Sequence, residues 1–198
     1  MHSKNPNTPP RAELVNLLEV FQRGNYQQSE KIARALTKRF SQDPFSWKVL
    51  SASLKYNGHL ENSINAAKKA LALSPDDAEI HCNLGTSYKE TGLFEEAIVA
   101  YTAAIKLNPM YAAAYFNLGN NLKSMGRVKE ALINFEKAAS VNQNWSDPHL
   151  QIGNCLQTLG DLKAASLSFK HTIKLKPDDV GAYCNLGGCL VELGQYRE

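Results

Sequence analysis

The fold this sequence predicts is all-α, a solenoid of stacked antiparallel helix pairs, and three observations predict it. Gly24, Gly58, Gly92, Gly126, Gly160 and Gly194 are each separated from the next by thirty-four residues. Each closes one helical pattern and opens another, where a residue tolerating positive φ lets the first helix end. The run NLGTSYKETG from Asn83 returns as NLGNNLKSMG from Asn117, QIGNCLQTLG from Gln151 and NLGGCLVELG from Asn185. A helix, a turn and a helix per thirty-four residues is one supersecondary unit that cannot bury its apolar stripe without neighbours.

The elements follow in order. Residues 1–10, MHSKNPNTPP, are polar and proline-rich, and are read as a disordered leader. They carry neither a secretory signal nor a membrane segment. The first pair, within residues 11–43, keeps its turn glycine but has Leu17 at its eighth position, Ser29 at its twentieth and Ser41 where proline is usual. This divergence suits a capping repeat. In residues 44–77, Pro44 fits a first helical turn and Asp43 an N-cap. Units over 78–111, 112–145 and 146–179 follow, the fourth with Gln143 in place of the usual proline. A sixth begins at Val180 and reaches residue 198 just past its turn, so it reads as a partial repeat of a longer array.

The central unit, Ala78 to Tyr111, resembles the tetratricopeptide repeat. The positions carrying the resemblance are His81, Leu84-Gly85, Tyr88, Ala97, Tyr101, Ala104 and Pro109, and they recur in register through nearly everything after Pro10. The resemblance implies a right-handed superhelix whose first helices line a concave groove. A second glycine ladder, Gly85, Gly119, Gly153 and Gly187, falls inside helices. There glycine costs about 1 kcal/mol relative to alanine, so a close helix approach must compensate. The expected partners are Ala97, Ala131 and Ala165.

Composition narrows the function classes. Twenty-two basic residues against nineteen acidic ones give a net charge of +3, without the clustered basic face of a nucleic-acid protein. No stretch nears eighteen consecutive apolar residues, so no membrane partner is expected. Cys82, Cys155, Cys184 and Cys189 show neither CxxC nor metal-ligand spacing. They are read as reduced structural thiols of a cytoplasmic protein. Gly187-Gly188 lies within a helical pattern and is no phosphate loop. The carboxylate pairs Glu95-Glu96, Asp76-Asp77 and Asp178-Asp179 sit where they favour helix N-termini. His81 and His149 occupy the large packed fourth position, and His59 and His171 stand alone in the sequence. No catalytic grouping, cofactor site or metal site is expected.

The surface remains. By the resemblance, positions six, nine and twelve of each unit point into the groove. Position six reads Val49, Asn83, Asn117, Gln151, Asn185, and position nine reads Ala52, Thr86, Asn120, Asn154, Gly188. Position twelve gives Lys55, Lys89 and Lys123 before fading to Gln157 and Val191. An amide both donates and accepts, so such rows suit the backbone of an extended peptide or partner protein; the alternative is plain solvated surface. Segments such as AYCNLGGCL and AYFNLGNNLKSMG look like the tetratricopeptide arm of O-linked N-acetylglucosamine transferases. That likeness implies an asparagine ladder of Asn83, Asn117 and Asn185, from which Gln151 departs and which Val49 ends. It also implies the alternative of a recruiting arm whose catalytic domain lies beyond residue 198. A carboxylate clamp like that of chaperone-binding members is not expected, because Ala52 and Ala113 stand where Asn and Lys are needed beside Lys48.

Overall fold

Residues 8–194 are described in a computed structural model. Among them there are eleven α-helices and no strand: α1 Arg11–Gln22, α2 Tyr26–Arg39, α3 Pro44–Tyr56, α4 Leu60–Leu73, α5 Ala78–Glu90, α6 Phe94–Leu107, α7 Ala112–Ser124, α8 Val128–Val141, α9 Ser146–Thr158, α10 Leu162–Leu175 and α11 Val180–Glu192. The chain divides into two compact units, residues 1–107 with α1–α6 and residues 108–198 with α7–α11. Of the leader expected over 1–10, residues 1–7 lie outside the described residues, while Pro9 is buried and Pro10 precedes α1. Of the partial repeat expected over 180–198, residues 195–198 also lie outside them.

Local chemistry sets the helix ends. All six turn glycines adopt positive φ, between 73° and 83°, and no other described residue does. Aspartates open several first helices. Asp43 accepts from the Ser46 N–H at 2.8 Å, Asp77 from Glu79 and Ile80, and Asp179 from Ala182. Each satisfies an N–H that the helix itself cannot, typically worth about 1 kcal/mol. Pro44 occupies the first turn of α3, where its missing N–H costs nothing.

In the first unit, Leu17, Ala33, Leu36, Val49, Leu50, Leu54 and Ala66 form one buried cluster across α1–α4. Ile64, Ala67, Ala70, Ile80, Leu84 and Ala100 form another across α4–α6. Successive pairs are also stitched by buried hydroxyls: Ser29 meets Ser53 at 2.8 Å, and Ser63 meets Ser87 at 3.0 Å. These are position twenty of one repeat against position ten of the next. In the second unit the same interlock is apolar, with Ala165 and Cys189 buried together beside Phe169.

The glycine ladder approaches its partner helix closely, but through a different residue than expected. A Cβ on Gly85 would stand 2.8 Å from the Tyr101 ring, and one on Gly119 would stand 2.7 Å from Phe135. On Gly153 it would press closer still into Phe169. The aromatic at position twenty-four, fully buried in each case, packs against the glycine and takes the room a side chain would need. The alanines at position twenty are also buried, yet none is among the nearest atoms. A Cβ on Gly187 would meet nothing within 4 Å among the described residues.

Candidate functional site

The expected groove residues all sit on first helices and all are half-buried, neither swallowed by packing nor fully solvated. In the first unit these are Lys55 on α3 and Asn83 and Lys89 on α5. Lys55 holds its ammonium 4.8 Å from the centre of the Tyr56 ring. Burial pushes its pKa down, and the charges of Glu90 and Cys82 oppose that. Val49 and Ala52, the two apolar members of the position-six and position-nine rows, are buried at 6% and 8% exposure. The amide rows therefore cannot extend onto α3.

In the second unit, Asn117, Asn120 and Lys123 lie on α7, Gln151 and Asn154 on α9, and Asn185 on α11. Here neighbouring helices are joined through the expected residues themselves. Lys123 Nζ donates to Gln151 Oε1 at 2.9 Å, and Asn185 Nδ2 donates to Asn154 Oδ1 at 2.9 Å. Position twelve thus pairs with position six of the next repeat, and position nine does the same one repeat further on. The second bond uses one end of each amide, which leaves the Asn154 NH2 and the Asn185 carbonyl oxygen outside it. Gln157 of α9 flanks the same stretch, with its Nε2 4.0 Å from where a Cβ on Gly188 would stand.

Elsewhere Lys48 is committed. It bridges to Glu79 at 2.5 Å and Asp77 at 3.1 Å. Burial would lower its pKa, but these carboxylates outweigh it and hold the group more firmly protonated. A lysine so engaged is poorly placed to clamp a free carboxylate, in keeping with the missing partners at Ala52 and Ala113.

Family profiles decide what this arrangement belongs to. One described as TPR repeat matches residues 53–92 and 87–126, and two described as tetratricopeptide repeat match 112–145 and 147–179. Together they span more than half of the chain. The chain belongs to the tetratricopeptide-repeat family. Solved tetratricopeptide-repeat and related structures share its fold. Pseudomonas aeruginosa pilF is 19% identical with a TM-score of 0.83, covering 93% of this chain and 84% of its own. MamA is 24% identical with a TM-score of 0.74, covering 80% and 93%. YrrB, described as a TPR protein with an unusual peptide-binding site, is 21% identical with a TM-score of 0.70, covering 83% and 85%. At these identities the likeness is one of fold. The comparison with curated proteins finds no match.

Two features of this tetratricopeptide-repeat chain escaped sequence reasoning. His171 does not stand alone: its ring lies 4.1 Å, centre to centre, from that of His149, at 43°. His149 Nε2 is buried without a hydrogen-bond partner, and burial followed by the neighbouring His171 pushes its pKa down. Nor is His59 alone, since its Nδ1 lies 3.4 Å from Glu30. Both pairs join positions whose separations are not multiples of thirty-four, so periodicity could not reveal them. Among the described residues no three His, Cys, Asp or Glu gather as a metal site, and no helix is long and apolar enough to cross a membrane.

Proposed function

We propose that this chain is a protein-interaction scaffold that holds an extended peptide along its first helices. The observation carrying the reading is the half-buried amide and lysine set of the second unit, linked as Lys123–Gln151 and Asn154–Asn185. Side chains already tied to one another are partly pre-organised, so binding loses less rotamer freedom. The amide ends outside those bonds offer donors and acceptors at helix spacing, which suits a peptide backbone irrespective of its sequence. Within the second unit Asn117 shares the position-six pattern and Lys123 favours acidic side chains in the partner; in the first unit Asn83 occupies the same repeat position, and Lys55 and Lys89 carry the same charge. That YrrB, a fold relative, is described as having a peptide-binding site agrees with a protein partner. The test is a peptide array probed with the purified chain and with an Asn154→Ala, Asn185→Ala variant. The proposal expects captured peptides to be lost or weakened while the melting curve moves little.

A second reading, favoured by the segments AYCNLGGCL and AYFNLGNNLKSMG, makes the chain the substrate-recruiting arm of a larger glycosyltransferase of the O-linked N-acetylglucosamine type. The same groove serves both readings. The coding sequence downstream of residue 198 separates them, since only the second requires a catalytic domain there.

A further inference from the structure

A different surface of the first unit has the chemistry of a second docking site. On the side formed by the second helices, α2 and α4 border a groove of about 600 Å³ floored by α3. Its floor is apolar, made by Trp47, Leu50 and Leu54. Leu50 and Leu54 are nearly fully buried while Trp47 is only partly buried. The ring is fixed, because its Nε1 donates to the Ser41 carbonyl at 2.9 Å. The charged rim is of one sign: Arg34 from α2, Lys68 and Lys69 from α4, and among the described residues no carboxylate lines the groove. Arg34 is partly compensated by Glu30 at 2.8 Å; Lys68 and Lys69 sit on the exposed face of α4, Lys68 with its ammonium 5.9 Å from the centre of the Tyr88 ring. Exposed amides of Asn62 and Asn65 lie between floor and rim.

The comparable clefts differ in charge. The cleft floored by α5 carries Glu96 and the well-exposed Val99, and the one beside α9 carries the His149–His171 pair. The α9 cleft has a single lysine, Lys174, so of these three the α3 groove alone joins an indole to a rim of three cationic side chains. We propose that the α2–α4 groove binds an acidic peptide segment, seating one large apolar side chain against Trp47 with carboxylates on either side of it facing Lys68 and Lys69. A rigid indole held at the base of a groove is the kind of anchor on which binding energy concentrates. Rim charges mainly supply encounter rate and sign selectivity.

The test uses the full 198-residue chain and a short fluorescein-labelled peptide with a central phenylalanine flanked on both sides by glutamates, read by anisotropy. The proposal expects saturable binding that is weaker by at least ~10-fold when the phenylalanine is replaced by alanine or the flanks by lysines. Lys68→Gln with Lys69→Gln should weaken binding several-fold and flatten its salt dependence. Ala72→Glu, which puts a carboxylate on the exposed groove edge, should weaken it without disturbing the fold. Trp47→Leu should abolish it, with a melting curve taken alongside because Trp47 also packs against the core. Absent binding, equal binding of the lysine-flanked peptide, or indifference to both the lysine and Ala72 variants overturns the proposal. Self-association in sedimentation that Ala72→Glu removes would overturn it in favour of a second copy of the chain. The Asn154→Ala, Asn185→Ala variant should bind this peptide normally, so failure here and failure of the first-helix proposal are seen separately.

Discussion

At the scale of single residues, the same repeat position is predicted to respond oppositely in two places. Adding a methyl at Gly153 drives it into the buried Phe169 ring, and overpacking of that kind costs typically about 1–3 kcal/mol. Adding one at Gly187, which meets nothing within 4 Å among the described residues, only removes the helical penalty of glycine, a gain of about 1 kcal/mol. Denaturant unfolding of Gly153→Ala and Gly187→Ala should therefore shift the midpoint in opposite directions. A shared direction would disprove the account of that ladder. The aromatic partner was not legible in the sequence, because a period shows which positions recur and not which of two inward-facing residues touches. Positions twenty and twenty-four lie on one face of the second helix and recur equally well.

His149 gives a second prediction at this scale. Its folded pKa is pushed below the ordinary 6.5 by burial and then by His171. The unfolded chain therefore takes up a proton at a higher pH than the folded one. The contribution of neutral, buried His149 is present in full above about pH 6.5 and is lost as the pH falls below it. A melting series from neutral to mildly acidic pH should show this loss, and His149→Gln should reduce it. An acid response unchanged in that variant would place its origin elsewhere.

At the scale of elements, caps and turns decide where each helix stops, and these were the most legible features of all. Asp43 and Pro44 start α3 as their residue types suggest, and the six glycines take left-handed φ because a short reversal between helices leaves no other geometry. Gly126→Val requires a β-branched side chain at φ +75°, a conformation that such residues rarely adopt. It should destabilise clearly, although a Cβ there would meet nothing within 4 Å. Asp77→Ala removes two N-cap bonds of α5 and one of the two carboxylates on Lys48. A loss of about 1 kcal/mol is expected from the cap, and little more from the ion pair, since Glu79 remains. Thermal melts of the two variants check both figures. The links between elements were less legible. Asn154 meets Asn185, and Lys123 meets Gln151, along diagonals that depend on helix offset rather than on the repeat length.

At the scale of the whole chain, the repeat writes itself into solvent access as well as secondary structure. Cys82, Cys155 and Cys189 are buried and Cys184 is exposed, and burial raises the pKa of Cys155 and Cys189 further. Thiolate, not thiol, reacts. Native chain treated with a thiol reagent should give one fast equivalent, mapped to Cys184 by mass spectrometry, with the rest released on denaturation.

The central claim is that amides on successive first helices hold a peptide backbone. The most direct measurement is the binding profile of Asn83→Ala, Asn117→Ala, Asn185→Ala against that of the unaltered chain, on one peptide array, with melting curves for both. Surface substitutions typically change stability by about 0.5 kcal/mol or less each, and somewhat more is expected at these half-buried amides, Asn185 among them for its bond to Asn154. Each lost contact to a peptide backbone is worth about 0.5–1.5 kcal/mol of binding. The account predicts that peptides captured by the unaltered chain are lost from the variant while the melting curve stays nearly in place. Capture at full strength by a folded variant would contradict it and move the ligand off the first helices.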